Sequence, residues 1–222
     1  MRNMQILYKS KNFVVINKPC KIPSQPDPSG DDDAMKLTSL ALSELGESDT
    51  LYLVHRLDRV VGGVLAFARN KKAAAAVSAI LNSDGFQKEY LAVAEGVAAG
   101  CVLQDYIYKD ALKSKAFVTD RERRGVKYAE LFYEPIANSE NKTLVRVRLS
   151  TGRFHQIRVQ FASRKMPLVG DKKYGSRDAK ASFPALFSHC LRFNCLGEAV
   201  DAVATPSFDE YPWSEFRLSE DI

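Results

Sequence analysis

The chain has 222 residues, a formal net charge of +5, and 45% apolar against 27% charged residues, the composition of a folded domain rather than of a disordered or fibrous chain. No apolar run approaches the roughly 20 residues that span a bilayer as a helix, and Met1-Arg2-Asn3-Met4-Gln5 lacks the apolar core and small-residue cleavage site of a signal peptide. These features predict a cytoplasmic protein that makes no use of a membrane, folded as a single domain over residues 1–222.

In chain order, Ile6-Leu7-Tyr8 and Phe13-Val14-Val15-Ile16 read as short strands, and Lys18-Pro19 ends the second because proline has no donor for a ladder. A loop punctuated by Pro23, Pro26 and Pro28 leads to Asp31-Asp32-Asp33, a solvated loop or helix N-terminus. Met35 to Leu45 has helical spacing. Leu51 to Val54 is a strand that delivers His55-Arg56-Leu57-Asp58 into a loop, and Val64 to Ala68 is a strand expected to pair with it. Lys71 to Leu81, with four successive alanines, is a helix by propensity, and Lys88 to Val93 begins another strand.

Residues 100–130 read as a β-hairpin region with a basic stretch at Arg121, Arg123, Arg124 and Lys127. Leu144 to Leu149 alternates apolar and basic residues, which buries one face and turns Arg146 and Arg148 outward. Phe154 to Arg164 reads as a helix.

Cys20, Cys101, Cys190 and Cys195 form no CxxC pair and are expected to be reduced thiols. Charge is unevenly spread. Residues 142–177 carry a net +9 with Asp171 as the sole acid, whereas residues 198–222 carry −6. Such separation suggests a face for a polyanion.

His55, Arg56 and Asp58 crowd four residues at a strand exit. A carboxylate there suits a nucleophile, a general base, a metal ligand or a simple loop cap, and the loop alone does not choose. His55, His155 and His189 are too widely spaced, without a cysteine cluster or an HExxH, to predict a zinc site.

Taken together, His55-Arg56-Leu57-Asp58, Lys88-Glu89-Tyr90-Leu91-Ala92 and Thr151-Gly152-Arg153-Phe154-His155-Gln156-Ile157-Arg158 resemble the RluA-type pseudouridine synthase family. Val15-Ile16-Asn17-Lys18-Pro19, Pro167-Leu168-Val169-Gly170-Asp171-Lys172-Lys173-Tyr174-Gly175 and Ser188-His189 extend the resemblance over roughly residues 6 to 195.

The resemblance implies an α+β fold, a central and largely antiparallel sheet in two halves flanking an RNA-binding cleft. It implies an isomerase that converts a specific uridine of structured RNA, tRNA or 23S rRNA or both, into pseudouridine. The N1–C1′ bond breaks, the uracil turns, and C5 bonds to C1′, so no cofactor and no metal is needed. RNA is the expected partner, and the chain is expected to act as a monomer with no separate N-terminal RNA-binding module.

By match to the family pattern Asp58 is the catalytic carboxylate. Arg158 is the arginine expected to pair with it, since a planar guanidinium favours the ionised carboxylate and fixes its direction. Tyr90 is the tyrosine that lies against the target base, and Arg56 the side chain that fills the RNA stack once the uridine is extruded. His55, Arg153, His155, Lys172 and Lys173 are the further expected RNA contacts.

The chain departs from the pattern after Asp58. Val61-Gly62-Gly63 stands where the family usually carries a Thr-Ser-Gly sequence, which removes two hydroxyl groups. That loss motivates the alternative of a non-catalytic RNA-binding protein on the same scaffold.

Overall fold

A computed structural model describes residues 4–216 of the protein. It contains β1 (Gln5–Lys9), β2 (Phe13–Lys18), α1 (Ala34–Glu44), β3 (Tyr52–Leu53), β4 (Gly62–Ala68), α2 (Lys71–Ile80), β5 (Phe86–Glu95), β6 (Cys101–Asp110), β7 (Lys115–Thr119), β8 (Val126–Ser139), β9 (Lys142–Leu149), α3 (Gln156–Ser163), β10 (Leu186–Cys195) and β11 (Glu198–Val203). The fold is α+β, with sheet dominating helix. Among the described residues no helix is long and apolar enough to cross a membrane.

The chain forms two compact units, one of Met1–Lys88 with Phe187–Pro206 and one of Glu89–Leu186 with Ser207–Ile222. In the first, β1, β2, β4 and β10 lie in that order, β3 also pairs with β4, and β11 pairs with β10. In the second the order is β5, β9, β8, β6, β7. All these pairings are antiparallel except the short parallel one between β4 and β10.

The core of the first unit gathers Phe13 and Val15 of β2, Val64 and Ala66 of β4, Phe86, and Leu191 and Phe193 of β10. Phe193 meets Phe13 edge-on at 5.1 Å between ring centroids and stacks on Phe86 at 5.0 Å. Helix α2 buries Ala73 and Val77 against this layer, and Asn70 caps it by accepting from the Ala73 backbone N–H at 2.8 Å. The aspartate run divides its labour. Asp33 caps α1 through the Lys36 N–H at 3.0 Å, Asp32 pairs with Lys36, and Asp31 pairs with Arg59.

The helix expected over 154–164 begins later, at Gln156, because His155 sits in the left-handed region at φ 52°. The hairpin region is three strands, β6, β7 and the start of β8.

Candidate active site

Asp58 lies in the connection between the paired strands β3 and β4, as the sequence predicts. Two anchors fix this loop. Val54 and Leu57 are buried, and the Ser24 hydroxyl accepts from the Leu57 N–H at 3.0 Å while donating to the Leu57 carbonyl at 2.9 Å. Next, the Val61 N–H donates to the Asp58 carbonyl at 3.0 Å, closing a turn over Arg59 and Val60. Arg59 reaches out to Asp27, Ser29 and Asp31, tying the turn to the proline-rich loop. Asp58 itself is half-buried.

His55 turns inward. Its Nε2 accepts from the Ala66 backbone N–H at 3.0 Å and its ring meets Phe86 edge-on at 5.6 Å. Burial, reinforced by the Lys88 charge, lowers its pKa from 6.5 to about 3, so the ring is a neutral acceptor. This geometry supports the loop from behind and turns the ring away from an RNA contact. Arg56, one residue on, is exposed.

Lys18 is more than the end of a strand. It is fully buried, and its Nζ donates to the carbonyls of Pro19 at 2.9 Å and Ile22 at 2.7 Å. Burial lowers its pKa to about 8, opposed by the Asp58 carboxylate. A buried cation is thus placed within electrostatic reach of Asp58, and the Cys20 thiol, donating to the Val60 carbonyl at 3.1 Å, joins the two loops.

Gly62, which stands where the pattern has a hydroxyl residue, and Gly63, which keeps the pattern's glycine, both have a packing reason. Gly62 and Gly63 pair with Phe187 and Ser188 of β10. A Cβ on Gly63, at φ +110°, would stand 2.1 Å from the Ser188 carbonyl oxygen, and one on Gly62 would stand 3.3 Å from the Lys18 carbonyl oxygen. Gly63 is therefore required for β10 to approach, and a side chain at 62 would press on the Lys18 backbone.

In the second unit, Tyr90 sits on β5 opposite Val147 and is almost fully buried. Arg158 is buried in α3. Its Nε and Nη2 donate to the two oxygens of Asp171 at 2.6 and 2.8 Å, a bidentate pair in which Asp171 is 1% exposed. Gly170, at φ +78°, makes the turn that places Asp171, and a Cβ there would meet the Phe183 carbonyl at 2.3 Å.

Tyr174 lies beneath the pair, with the Arg158 guanidinium 5.1 Å from its ring centroid. Its hydroxyl accepts from the Ala116 N–H at 2.8 Å and lies 2.9 Å from His155 Nδ1. The preceding turn is built by Gln156, whose Oε1 accepts from the Thr151 hydroxyl and the Arg153 N–H, both at 2.9 Å, while its Nε2 donates to the Glu130 carbonyl at 3.0 Å.

Asp171, Tyr174 and Gln156 were not among the expected site residues. All three stand inside segments that carry the family resemblance, which was the available signal.

Part of the charge counted along 142–177 is taken up in ion pairs. Lys142 pairs with Glu215, Arg146 and Arg148 with Glu89 and Glu134, Arg158 with Asp171, and Arg164 with Asp105. Of the cations expected at RNA, Arg153 donates to the Tyr128 carbonyl at 2.8 Å, Lys173 donates to the Ser114 carbonyl at 3.0 Å, and Lys172 and Lys173 are exposed. Arg153, His155, Lys172 and Lys173 flank Arg158 along the chain in the same unit. Among the described residues no group of three or more His, Cys, Asp or Glu is arranged to hold a metal ion.

Residues 12–163, which include the Asp58 loop, Tyr90 and Arg158, match the family model described as RNA pseudouridylate synthase. The chain belongs to this family, in its RluA-type branch. Family membership classes the chain as an isomerase.

An uncharacterized RNA pseudouridine synthase of Haemophilus influenzae is 27% identical over 99% of this chain and 94% of its own length. The ribosomal large subunit pseudouridine synthase D of Xylella fastidiosa is 32% identical over 78% of this chain, which spans 52% of that relative. The solved human RNA pseudouridylate synthase domain containing 1 has the same fold, with a TM-score of 0.78, 22% identity and coverage of 93% of this chain and 84% of its own. A pseudouridine synthase fold of mixed α+β type with a mostly antiparallel sheet is thereby established for this chain.

Proposed function

We propose that the protein isomerises a uridine of structured RNA to pseudouridine, with Asp58 as the carboxylate that acts on the nucleoside. The observation that carries this reading is the family match across 12–163, joined to a loop whose backbone Ser24 and the Val61 turn fix on either side of Asp58, with buried Lys18 within electrostatic reach. A reaction whose barrier lies in breaking a glycosidic bond gains from a charged group that need not reorganise.

In this scheme the N1–C1′ bond breaks, the base turns, and C5 bonds to C1′. One proton leaves C5 and one is gained at N1, so the net composition is unchanged. Tyr90 lies against the base and passes on the C5 proton. Arg158, held by Asp171, supplies a fixed positive charge. Arg56 fills the stack left by the extruded uridine, which offsets a cost of a few kcal/mol, and Arg153, His155, Lys172 and Lys173 contact the RNA.

The name of the Xylella relative puts large-subunit ribosomal RNA first among the RNAs to try, and a cytoplasmic location accords with such a target. The test is incubation with unmodified rRNA and tRNA transcripts followed by chemical marking of pseudouridine. Wild-type protein is expected to mark one or a few positions, and Asp58→Asn none while still binding RNA. Undiminished product from Asp58→Asn would end the proposal, and RNA binding without product from wild type would favour a non-catalytic scaffold.

A further inference from the structure

The sheet of the second unit has two faces, and helix covers one of them. Directly paired residues of antiparallel neighbours share a face. Ile107, Ala116 and Ala129 pack with Val159 of α3 and with Tyr174, and Tyr133 meets Phe161 of the same helix. Tyr133 pairs with Val147 and Val147 with Tyr90, so Tyr90 belongs to this helix-covered face.

The other face carries a block of aromatic residues near the β6–β7 hairpin. Tyr108 pairs with Phe117, and Tyr106 pairs with Tyr128, their rings 6.0 Å apart edge to face. Tyr108, Phe117 and Tyr128 remain 37%, 38% and 41% exposed. Arg123 stands 5.7 Å from the Tyr108 ring, and Lys115, whose Nζ lies 5.2 Å from the Tyr174 ring, is 5.6 Å from the Phe117 ring. Residues 106–128 carry a net charge of +4. The nearby carboxylate Glu130 is occupied by the Tyr128 hydroxyl at 2.6 Å and Gln104 at 2.8 Å.

We propose that this open face is a second RNA-contact surface, on which unpaired bases of the substrate RNA stack against Tyr108 and Phe117 while Arg123 and Lys115 meet the adjoining phosphates. The inference rests on the reading of the protein as an enzyme of RNA. Exposed rings on a flat sheet, interleaved with cations, are what a single strand needs, because every base presents a π-face and every linkage a negative charge. Duplex RNA hides its base faces in its own stack, so the surface selects unpaired segments. The excess of cations favours a polyanion over an apolar protein partner.

The full chain is tested for binding a short labelled oligouridylate, and the same strand made abasic, by fluorescence anisotropy. Tyr108→Ala/Phe117→Ala is expected to weaken binding of the intact strand about tenfold or more, with Phe117→Tyr close to wild type and the abasic strand bound weakly by all. Arg123→Gln, on an exposed loop, is expected to weaken binding and to lower the salt slope by about 0.7.

The inference is overturned if the double variant and Arg123→Gln bind as wild type, if wild type holds the abasic strand as tightly as the intact one, or if sedimentation shows the face joining two copies of the chain. Pseudouridine formation is scored in parallel. Base-dependent binding at this face without product from any RNA sinks the catalytic reading and leaves the surface, whereas product with unaltered binding sinks the surface alone.

Discussion

Arg158 and Asp171 form a two-bond ion pair in which neither side chain is more than 5% exposed, and the pair directs the guanidinium. Because Nε and Nη2 are spent on Asp171 at 2.6 and 2.8 Å, the orientation of the remaining Nη1 is fixed by covalent planarity.

Removing one partner of this pair strands a buried charge. Asp171→Ala is expected to cost about 3–5 kcal/mol of stability, read as the urea midpoint, and to lower kcat about 100-fold where the protein stays folded. Arg158→Lys keeps the charge and loses the fork, so kcat should fall comparably with a smaller loss of stability. Arg158→Met/Asp171→Leu should regain stability and remain inactive. A double variant as active as wild type would show that the pair is structural only.

Tyr174 separates two roles in one side chain. Tyr174→Phe removes the hydroxyl, orphaning the buried Ala116 N–H, which costs about 1–3 kcal/mol, yet it keeps the ring 5.1 Å from Arg158. Tyr174→Leu removes both. Thermal unfolding should place Leu below Phe, by about 1–2 kcal/mol for the lost desolvated cation over an aromatic ring, while kcat should be near wild type for Phe and reduced for Leu, whose Arg158 has lost the ring that holds it. Equal kcat values would remove the ring from the site.

How much of this was legible in sequence depends on whether a residue's partners were near it. The ends of α1 and α2 were, because Asp33 and Asn70 cap within three residues of themselves. The Asp58 connection was also legible, since strand, loop and strand follow one another. Strand β10 was not. It is buried along most of its length, and Ser188 and His189 sit inside it because they bond to the distant carbonyls of Val64 at 2.9 Å and Ala204 at 2.7 Å.

The basic run 142–177 offers a polyanion less charge than its count suggests, for a related reason. Counting charge along the chain omits Glu89, Glu134, Asp105 and Glu215, which fold against it. Lys18 likewise reads as a strand end, since its burial rests on how Pro19 to Ile22 curl back over its ammonium group.

That buried lysine has a pH signature of its own. Its pKa is lowered from 10.5 to about 8, chiefly by burial. Between those values the unfolded chain holds a proton that the folded one has released, so wild type gains stability as pH rises from 8 to 10.5, at about 1.4 kcal/mol per pH unit at most. Lys18→Met lacks this gain and leaves the Pro19 and Ile22 carbonyls without their donor, so it should be less stable than wild type, with the gap widening above pH 8. Urea unfolding at neutral and alkaline pH reads both, and a gap that stays constant with pH would refute the assignment.

His55 gives the opposite test on the acid side. Burial, with Lys88 adding to it, lowers the pKa from 6.5 to about 3, because a proton on Nε2 would break its bond from the Ala66 N–H and leave a charge in the core. The unfolded chain takes up that proton as pH falls through 6.5, whereas the folded chain resists until near 3. Stability present above pH 6.5 is therefore lost as pH falls, at about 1.4 kcal/mol per pH unit before solvent screening. Between pH 6.5 and 5, above the range where ordinary carboxylates titrate, the difference between wild type and His55→Gln separates this ring from His155 and His189. His55→Gln should be less stable than wild type at pH 7, having lost the fitted acceptor, and should show a flatter decline. If wild type and His55→Gln lose stability in parallel over that window, the histidine is not the neutral acceptor of the Asp58 loop.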